Sequence, residues 1–235
     1  MIAKRKVICI CVSLLIISQA SMAGLKEISL FLRNAYNKPH VVGAIMPCTS
    51  TVGNELVRYV VQNQKDNPKK PLNILEVGAG TGPMTEIIIK NLRDIDHLDV
   101  IEISPEFCKV LHEKFDGYPN VSIHCLSIID WVPSYRYNFI ISTLPFNSFD
   151  FELMDSIIDH LTVLIKSGGI LSYVAYAGIA ALKEPFLWGK KRADHKRKME
   201  RLKQWHAQYF IAKKTIIRNV PPINVYHLKI TLAGR

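Results

Sequence analysis

Cysteine is scarce and irregularly spaced in this chain of 235 residues. Cys9 and Cys11 lie in an N-terminal apolar run, and Cys48, Cys108 and Cys125 are scattered without a C-x-x-C pair. Zinc sites and disulfide-rich small domains both depend on regularly spaced or evenly paired cysteines. The sequence therefore predicts no metal site and no disulfide framework, and we expect the cysteines to be reduced thiols in the core.

Acidic residues are also outnumbered, since 30 lysines and arginines stand against 20 aspartates and glutamates and give a formal net charge of +10. Such a surplus favours an anionic partner, either a nucleic acid or an acidic membrane surface. The content of 49% hydrophobic and 21% charged residues is that of an ordinary globular protein. A chain of this length can bury a substantial core.

The apolar run near the N-terminus is too short for a comfortable membrane span. It occupies residues 7–18, after the basic residues 4–6 and before the small residues 21–23. This is the pattern of a secretory signal, and an uncleaved anchor or an untranslated leader before a true start at Met22 are alternatives. We expect residues 1–23 to be one of these and residues 24–235 to form a single domain.

The most informative motif lies at residues 73–82, where a short apolar strand breaks into glycines at every second position and a helical pattern follows from Met84. Only glycine lets the backbone come so close to a ligand, so strand, turn and helix N-terminus together predict a nucleotide-binding unit. Pro83 stands where the dinucleotide pattern G-x-G-x-x-G needs its third glycine. The pattern is therefore not the dinucleotide one.

An acidic residue follows the glycines after about 20 positions, as a nucleotide-binding sheet requires. Residues 98–103 form a second apolar strand pattern that contains Glu102. In a doubly wound sheet, a carboxylate at this place binds the ribose hydroxyls. The combination predicts a nucleotide site, and an ordinary glycine turn beside a core strand is the alternative.

Residues 75–82 resemble motif I of the class I S-adenosylmethionine-dependent methyltransferases, whose consensus is similar to L-E-V-G-A-G-T-G. The resemblance implies that S-adenosylmethionine is the cofactor and that the loop packs against its amino-acid and ribose portions. The implied cofactor-binding residues are Glu76, Gly78, Ala79, Gly80, Thr81, Gly82, Glu102, Ile103 and Ser127. The family's adenine-reading acid is missing, because Leu126 stands at its position. Nearby Asp130 could substitute for it, but we interpret Asp130 as an exposed loop carboxylate.

The remaining periodicity predicts an α/β fold. Further strand patterns lie at residues 121–125, 137–141, 170–176, 211–218 and 225–231. Helical patterns lie at residues 25–36, 52–61, 105–115 and 151–165, and residues 62–71 read as a polar linker. With the resemblance, this predicts a doubly wound, seven-stranded Rossmann-like methyltransferase sheet that ends in a C-terminal antiparallel hairpin.

The fourth strand runs directly into Thr143, Leu144, Pro145 and Phe146. Amine-directed methyltransferases carry N-L-P-Y or a similar motif here, and this chain resembles them with threonine at the Asn/Asp position. The resemblance implies that these residues present the acceptor amine, with Phe146 packing on the substrate and Tyr176 shaping the amine pocket. A plain proline turn and a packing tyrosine are the alternatives.

Two further motifs resemble one branch of this family, the bacterial phospholipid N-methyltransferases related to the rRNA adenine dimethylases. These are G-A-I-x-P at residues 43–47 and N-x-P-P at residues 219–222. Cys48 and Thr49 depart from the usual leader sequence. The rRNA enzymes carry an extra C-terminal helical domain, for which we expect no room after Arg235.

Residues 183–218 carry twelve lysines and arginines against three acidic residues, with aromatic residues at helical spacing. A basic amphipathic helix that carries tryptophan suits a membrane interface. The same charges suit RNA phosphates, and a solvated basic helix on the sheet edge is the third interpretation.

We therefore predict an S-adenosylmethionine-dependent N-methyltransferase that acts on phosphatidylethanolamine at an anionic membrane surface. The expected location is cytoplasmic and peripheral on the inner membrane face, because the cofactor is cytosolic. A secretory signal at residues 1–23 would conflict with that location, and a start at Met22 would remove the conflict. The alternatives are an rRNA adenine N6-dimethylase-like RNA methyltransferase and a non-catalytic basic binding protein on a methyltransferase scaffold.

Overall fold

The computed structural model describes residues 49–178, 187–219 and 222–231. The predictions for residues 1–23, for the helix at 25–36 and for the leader motif at 43–47 lie outside the described residues.

Helices and strands alternate through most of the described chain. The helices are α1 (Ser50–Leu56), α2 (Arg58–Asp66), α3 (Pro83–Lys90), α4 (Pro105–Phe115), α5 (Phe151–Leu164) and α6 (Gly189–Tyr209). The strands are β1 (Asn73–Val77), β2 (His97–Glu102), β3 (Val121–Cys125), β4 (Tyr137–Ser142), β5 (Ile165–Tyr176), β6 (Phe210–Ile216) and β7 (Ile223–Ile230). Short 3-10 turns occur at Ile128–Asp130 and Phe146–Ser148.

The strands form one seven-stranded sheet in the order β3-β2-β1-β4-β5-β7-β6. Strands β1 to β5 pair in parallel, and β7 is antiparallel to both β5 and β6. The strand order reverses between β1 and β4, and ligands of such sheets bind at the carboxyl ends of the strands at this switch point. The predicted Rossmann-like sheet with its antiparallel hairpin is confirmed.

Both faces of the sheet are covered by helices. One face packs against α1 to α4 through buried side chains that include Leu56, Ile88 and Leu111. The other face packs against α5 and α6, where Ile158 and Trp205 are among the buried residues. Parallel strands that are covered on both sides are apolar along their whole length, and this explains the nearly continuous apolar runs of the strand patterns.

The helices begin where the local sequence indicates. The side chains of Thr49 and Asp150 cap α1 and α5 by accepting backbone N–H bonds from the first turn. Pro83 and Pro105 occupy the first turns of α3 and α4, where a missing N–H costs no helical hydrogen bond. Ser104 precedes α4 as predicted, but its side chain makes no capping bond.

Several boundaries differ from the prediction, and the predicted helix at residues 52–61 is divided into α1 and α2 at Val57. In three places, backbone hydrogen bonding continues past the range or type of element that the sequence pattern indicates. Helix α2 continues into the predicted polar linker as far as Asp66. Strand β5 begins at Ile165, which pairs with Tyr137 of β4, so residues 166–169 lie in the strand. Phe210 starts β6 instead of continuing the basic helix.

The expectation that all cysteines are reduced core thiols is wrong for one pair. A disulfide joins Cys108 of α4 to Cys125 at the end of β3, and Cys125 is exposed. The two Cα atoms are 5.9 Å apart although 17 positions separate them in sequence, and this separation suits a disulfide. Packing of α4 beside β3 creates the proximity, which no sequence spacing shows.

Candidate active site

The loop between β1 and α3 forms one side of the site. Gly78, Gly80 and Gly82 have φ angles of 81°, 59° and 91°, a region that residues with a Cβ rarely occupy. The N–H of Gly78 donates to the carbonyl oxygen of Ile101 at 2.9 Å, which ties the loop to β2. A Cβ on Gly78 would come within 2.9 Å of the Leu144 side chain. The glycine loop therefore lies between the ends of β2 and β4.

Glu76 lies on β1 just before this loop and is fully buried. Neither of its carboxylate oxygens has a hydrogen-bond partner among the described residues. Burial raises the pKa of Glu76 to about 8; the nearby Thr85 hydroxyl opposes this rise and the Glu102 carboxylate adds to it. Because an unpartnered buried carboxylate is costly, Glu76 is suited to a ligand that brings a positive charge or hydrogen-bond donors.

Glu102 ends β2 and faces the same loop. Its Oε2 accepts a hydrogen bond from the N–H of Gly80 at 2.8 Å, and its Oε1 accepts one from the N–H of Ser104 at 2.9 Å. Burial raises the pKa of Glu102, and these backbone donors offset the rise only in part. Each carboxylate oxygen keeps a further lone pair, which can accept a bond from a ligand hydroxyl.

Thr143 connects the end of β4 to the glycine loop. Its hydroxyl donates to the carbonyl oxygen of Gly78 at 2.6 Å, and its backbone N–H donates to the carbonyl oxygen of Val77 at 3.1 Å. The structure therefore brings the predicted acceptor motif and the predicted cofactor motif into direct contact. Leu144 and Pro145, which follow, are half-buried at the same edge.

Phe146 is buried, whereas the motif resemblance implies that its ring packs on the substrate. It is only 3% exposed and packs edge-on against Tyr173 of β5 and Trp205 of α6, with ring centroids 5.4 and 6.3 Å apart. Tyr173 in turn stacks on Trp205 and on Tyr226 of β7. Phe146 thus anchors residues 143–146, the acceptor loop that the motif predicts, to an aromatic cluster, because α6 covers this face of the sheet.

This aromatic cluster was not identified as part of the site from the sequence. The signal that would have found it is the period-2 alternation of β5, which places Tyr173 on the face that α6 covers. In the sequence, Trp205 is one of the aromatic residues at helical spacing within residues 183–218. Its proximity to Phe146 depends on how α6 crosses the sheet.

The other predicted site residues are spread around the carboxyl edge. Ala79 is buried, and Ile103 is 57% exposed just beyond β2. The carbonyl oxygen of Thr81 accepts a bond from the Lys114 ammonium at 2.9 Å. Ser127 precedes the first 3-10 turn, and its hydroxyl accepts the N–H bond that caps this turn. These four residues therefore lie at separate points along the carboxyl edge of the sheet.

Tyr176 ends β5 opposite Ile223 of β7. It packs with the hydrophobic cluster under α1 to α4, whereas Phe146 belongs to the cluster on the opposite face. Burial raises the pKa of Tyr176. Tyr176 and Phe146 therefore pack on opposite faces of the sheet. Asp130, after β3, is exposed as predicted.

Helix α6 holds the basic stretch, and one side of it is neutralised by α5. The Arg197 guanidinium pairs with Glu152 at 2.8 Å, and Arg201 pairs with Asp155 and Asp159. These contacts turn the acidic side of α5 toward α6. None of the described helices is long and apolar enough to cross a membrane.

A second group of basic residues on α6 faces solvent. Trp188, which precedes the helix, is 81% exposed, and the basic side chains that follow it are exposed too. We call these residues the basic end of α6: Trp188, Lys190, Lys191, Arg192 and Lys196.

Comparison with known proteins identifies the family. The sequence model of the family described as ribosomal RNA adenine dimethylase matches residues 58–186, which is more than half of the chain. The matched region includes the glycine loop, Glu102 and the acceptor loop.

Two curated relatives differ in their acceptors. The chain is 22% identical over 156 residues to the ornithine lipid N-methyltransferase of Singulisphaera acidiphila, covering 64% of this chain and 78% of the relative. It is 30% identical over 108 residues to malonyl-[acyl-carrier protein] O-methyltransferase 1 of Ilyobacter polytropus, covering 46% of this chain and 39% of that relative. The match therefore spans less than half of the second relative's length.

A solved structure confirms the fold. The N-methyltransferase NodS of Bradyrhizobium japonicum WM9, in complex with S-adenosyl-L-homocysteine, superposes with a TM-score of 0.51 at 13% identity, covering 74% of this chain and 87% of that one. The glycine loop, the unpartnered carboxylate of Glu76 and the carboxylate of Glu102 fit a ligand that combines an amino-acid portion with a ribose.

Proposed function

This chain belongs to the ribosomal RNA adenine dimethylase family and is an S-adenosylmethionine-dependent methyltransferase, and from that premise we propose that it methylates the amine of phosphatidylethanolamine at a membrane surface. The observation that carries the proposal is the position of the basic end of α6 on the helix that supports the acceptor loop. Such a surface would hold phospholipid headgroups close to Thr143.

The glycine loop and two carboxylates form the cofactor side of the site. Glu76 and the backbone of residues 78–82 hold the amino-acid portion of S-adenosylmethionine, and Glu102 holds its ribose hydroxyls. When bound, S-adenosylmethionine supplies a methyl carbon that is activated by its positively charged sulfur. Ala79, Thr81, Ile103 and Ser127 complete the surroundings of the cofactor.

The acceptor side consists of Thr143, Leu144 and Pro145, with Phe146 anchoring them from beneath. The loop presents one hydroxyl oxygen and half-buried apolar atoms, so it suits a small aliphatic amine. The amine must lose a proton before it can attack, and a desolvated pocket lowers the pKa of an ammonium group. Alignment and desolvation are then the main contributions to rate. Tyr176 packs on the opposite face of the sheet from Phe146 and is the remaining candidate for shaping the amine pocket.

Contacts between α6 and the segment after the acceptor loop connect the basic end to the site. The Lys198 ammonium donates to the carbonyl oxygen of Phe149 at 2.7 Å, and Asp194 accepts a bond from the N–H of Phe151 at 3.0 Å. The Arg197 guanidinium lies 3.8 Å from the centre of the Phe151 ring. The basic end, within two turns of these contacts, is therefore near the carboxyl edge of the sheet.

A membrane surface suits this end of α6 for two reasons. Tryptophan prefers the interface between water and lipid, and each basic residue near an anionic lipid surface contributes about 1 kcal/mol to binding. The likeness to an ornithine lipid N-methyltransferase supports a lipid acceptor. We infer a cytoplasmic location, peripheral on the inner membrane face, since the methyl donor is made there.

The test uses the full chain, S-adenosylmethionine labelled in its methyl group, and two acceptors. These are vesicles of phosphatidylethanolamine with an anionic lipid, and undermethylated small ribosomal subunits. We expect label in the lipid, and we expect Glu102→Gln to lose most of it through weaker cofactor binding. Glu106→Gln, a change at an exposed carboxylate in the next helix, should retain it. Label in the RNA and none in lipid would contradict the proposal.

A second candidate is an rRNA adenine dimethylase-like activity, which the name of the matching family favours. The exposed basic residues of α6 suit RNA phosphates as well. Absence of cofactor binding by the full chain would instead favour a non-catalytic basic binding protein on this scaffold.

A further inference from the structure

The single hydroxyl proton of Thr143 is already used within the protein. Thr143 Oγ1 lies 2.6 Å from the carbonyl oxygen of Gly78. A carbonyl oxygen has no hydrogen, so the threonine must be the donor in this bond. The bond from the Thr143 N–H to Val77 holds the backbone in place at the same time. Towards any other molecule, Thr143 Oγ1 can therefore act only as an acceptor.

Because Thr143 Oγ1 can only accept, the nitrogen that is methylated must carry an N–H to form a hydrogen bond with it. A carboxamide offers both a donor and an acceptor, whereas Thr143 with its proton engaged offers lone pairs alone. A nitrogen with at least one N–H can donate to Oγ1, and the bond directs its own lone pair away from the threonine. A nitrogen without N–H cannot form this hydrogen bond, so Thr143 does not orient it.

We propose that Thr143 limits the number of methyl groups that this protein adds to one nitrogen, an inference that rests on the proposed amine acceptor. The neutral primary amine has two N–H bonds, the secondary amine has one, and the tertiary amine has none. The first two transfers can use the hydrogen bond to Thr143, and the third cannot. The products are therefore mono- and dimethylated amines, with little quaternary ammonium.

Each transfer balances without a further reactant. The nitrogen lone pair forms the new N–C bond while the S–C bond of the methyl donor breaks, and that electron pair stays on sulfur as a neutral thioether. In the first two transfers, one N–H proton then leaves to solvent. The third would give a quaternary ammonium ion directly, without loss of a proton.

The test compares vesicles that contain phosphatidylethanolamine, its N-methyl derivative or its N,N-dimethyl derivative, with the full chain as enzyme. Initial rates at varied lipid content separate kcat from KM for the wild type, Thr143→Val and Thr143→Ser. A hydrogen bond of ordinary strength corresponds to about 3- to 10-fold in rate. We expect the wild type to methylate the dimethyl lipid more slowly than the monomethyl lipid by at least this factor.

The variants distinguish acceptor selection from a structural role. Thr143→Val should slow the first two transfers by about 3- to 10-fold more than the third, because loss of the bond to Gly78 affects all three transfers alike. Thr143→Ser should keep the wild-type ratios. Titration of short-chain headgroup analogues without turnover gives a second readout, in which Thr143→Val weakens binding of the monomethyl analogue more than binding of the dimethyl analogue.

Three outcomes would overturn the inference. Equal wild-type rates on all three lipids would overturn it while leaving the proposed function intact. An equal loss on all three lipids in Thr143→Val would assign Thr143 a structural role only. Transfer to none of the lipids would overturn the proposed function and, with it, this inference. If the valine variant does not fold, the wild-type and serine ratios decide.

Discussion

Glu76 is an unfavourable residue for the stability of the ligand-free protein, and we propose that it contributes to cofactor binding. It is fully buried and has no hydrogen-bond partner among the described residues, and burial raises its pKa to about 8. Its position next to the glycine loop makes it a natural contact for the positively charged part of an amino acid. Strain of this kind at a ligand site is common in proteins.

We predict that Glu76→Gln stabilises the ligand-free protein near pH 8, where the buried wild-type side chain ionises, and weakens cofactor binding. Between pH 4.5 and about 8 the folded state binds a proton at Glu76 that the unfolded state has released. Relative to the variant, the free energy of unfolding of the wild type should therefore fall with rising pH in this window, by up to about 1.4 kcal/mol per pH unit. The variant should lack this slope.

The measurement is denaturant unfolding at pH 5 and pH 8, together with titration of S-adenosylmethionine. Glu106→Gln, a change at an exposed carboxylate in α4, is the control and should alter neither property. A variant that is less stable than the wild type at both pH values would mean that Glu76 has a stabilising partner in the empty protein.

The basic residues of helix α6 fall into two groups, one paired with acidic residues of α5 and one exposed to solvent. Arg197 and Arg201 pair with acidic residues of α5, while Lys190 and Lys191 are exposed at the basic end. The sequence shows a uniformly basic stretch, and only the contacts with α5 separate structural charges from those available to a partner.

We predict that Lys190→Gln with Lys191→Gln reduces binding to anionic vesicles by about 2 kcal/mol, or roughly 30-fold. The matched control is Arg197→Gln with Arg201→Gln, which removes the same number of charges. The control should mainly lower the free energy of unfolding, because it leaves carboxylates of α5 unpaired. Vesicle sedimentation and thermal unfolding measure the two effects. Equal losses of vesicle binding in both variants would show that only net charge matters.

At the level of the whole molecule, Asp96 joins segments that are far apart in sequence. It pairs with Arg93 at 2.7 Å and accepts bonds from the Leu72 N–H and the Gln64 side chain, each at 2.9 Å. Burial would raise the pKa of Asp96, but the hydrogen bonds from Arg93 and Gln64 hold it below its usual value. These bonds fasten α2 and the start of β1 to the loop before β2.

We predict that Asp96→Asn destabilises the protein by about 3 kcal/mol at neutral pH, since it leaves a partly buried guanidinium without its carboxylate. Asp94→Asn, at an exposed position two residues earlier, should change the free energy of unfolding by less than about 0.5 kcal/mol. Denaturant unfolding of both variants is the measurement. Equal small effects would mean that the segments are held by apolar packing alone.

Local sequence, together with the family resemblance, was sufficient for the fold and for the turn at which we propose that the cofactor binds. The period of apolar residues distinguishes strands from helices, and the glycines at 78, 80 and 82 mark a turn with positive φ angles. Since the carboxyl ends of parallel strands meet at one edge, Glu102 and the acceptor motif could be placed beside this turn from the strand order alone.

Tertiary packing determined the contacts between elements that lie far apart in the sequence, which neither the period of apolar residues nor the spacing of motifs indicates. The disulfide between Cys108 and Cys125 depends on α4 lying beside β3, and the burial of Phe146 depends on the path of α6 across the sheet. The Thr143 hydroxyl donates to Gly78 only because β4 ends next to the glycine loop. These are contacts between segments that are distant in sequence, and their partners are set by how whole elements pack.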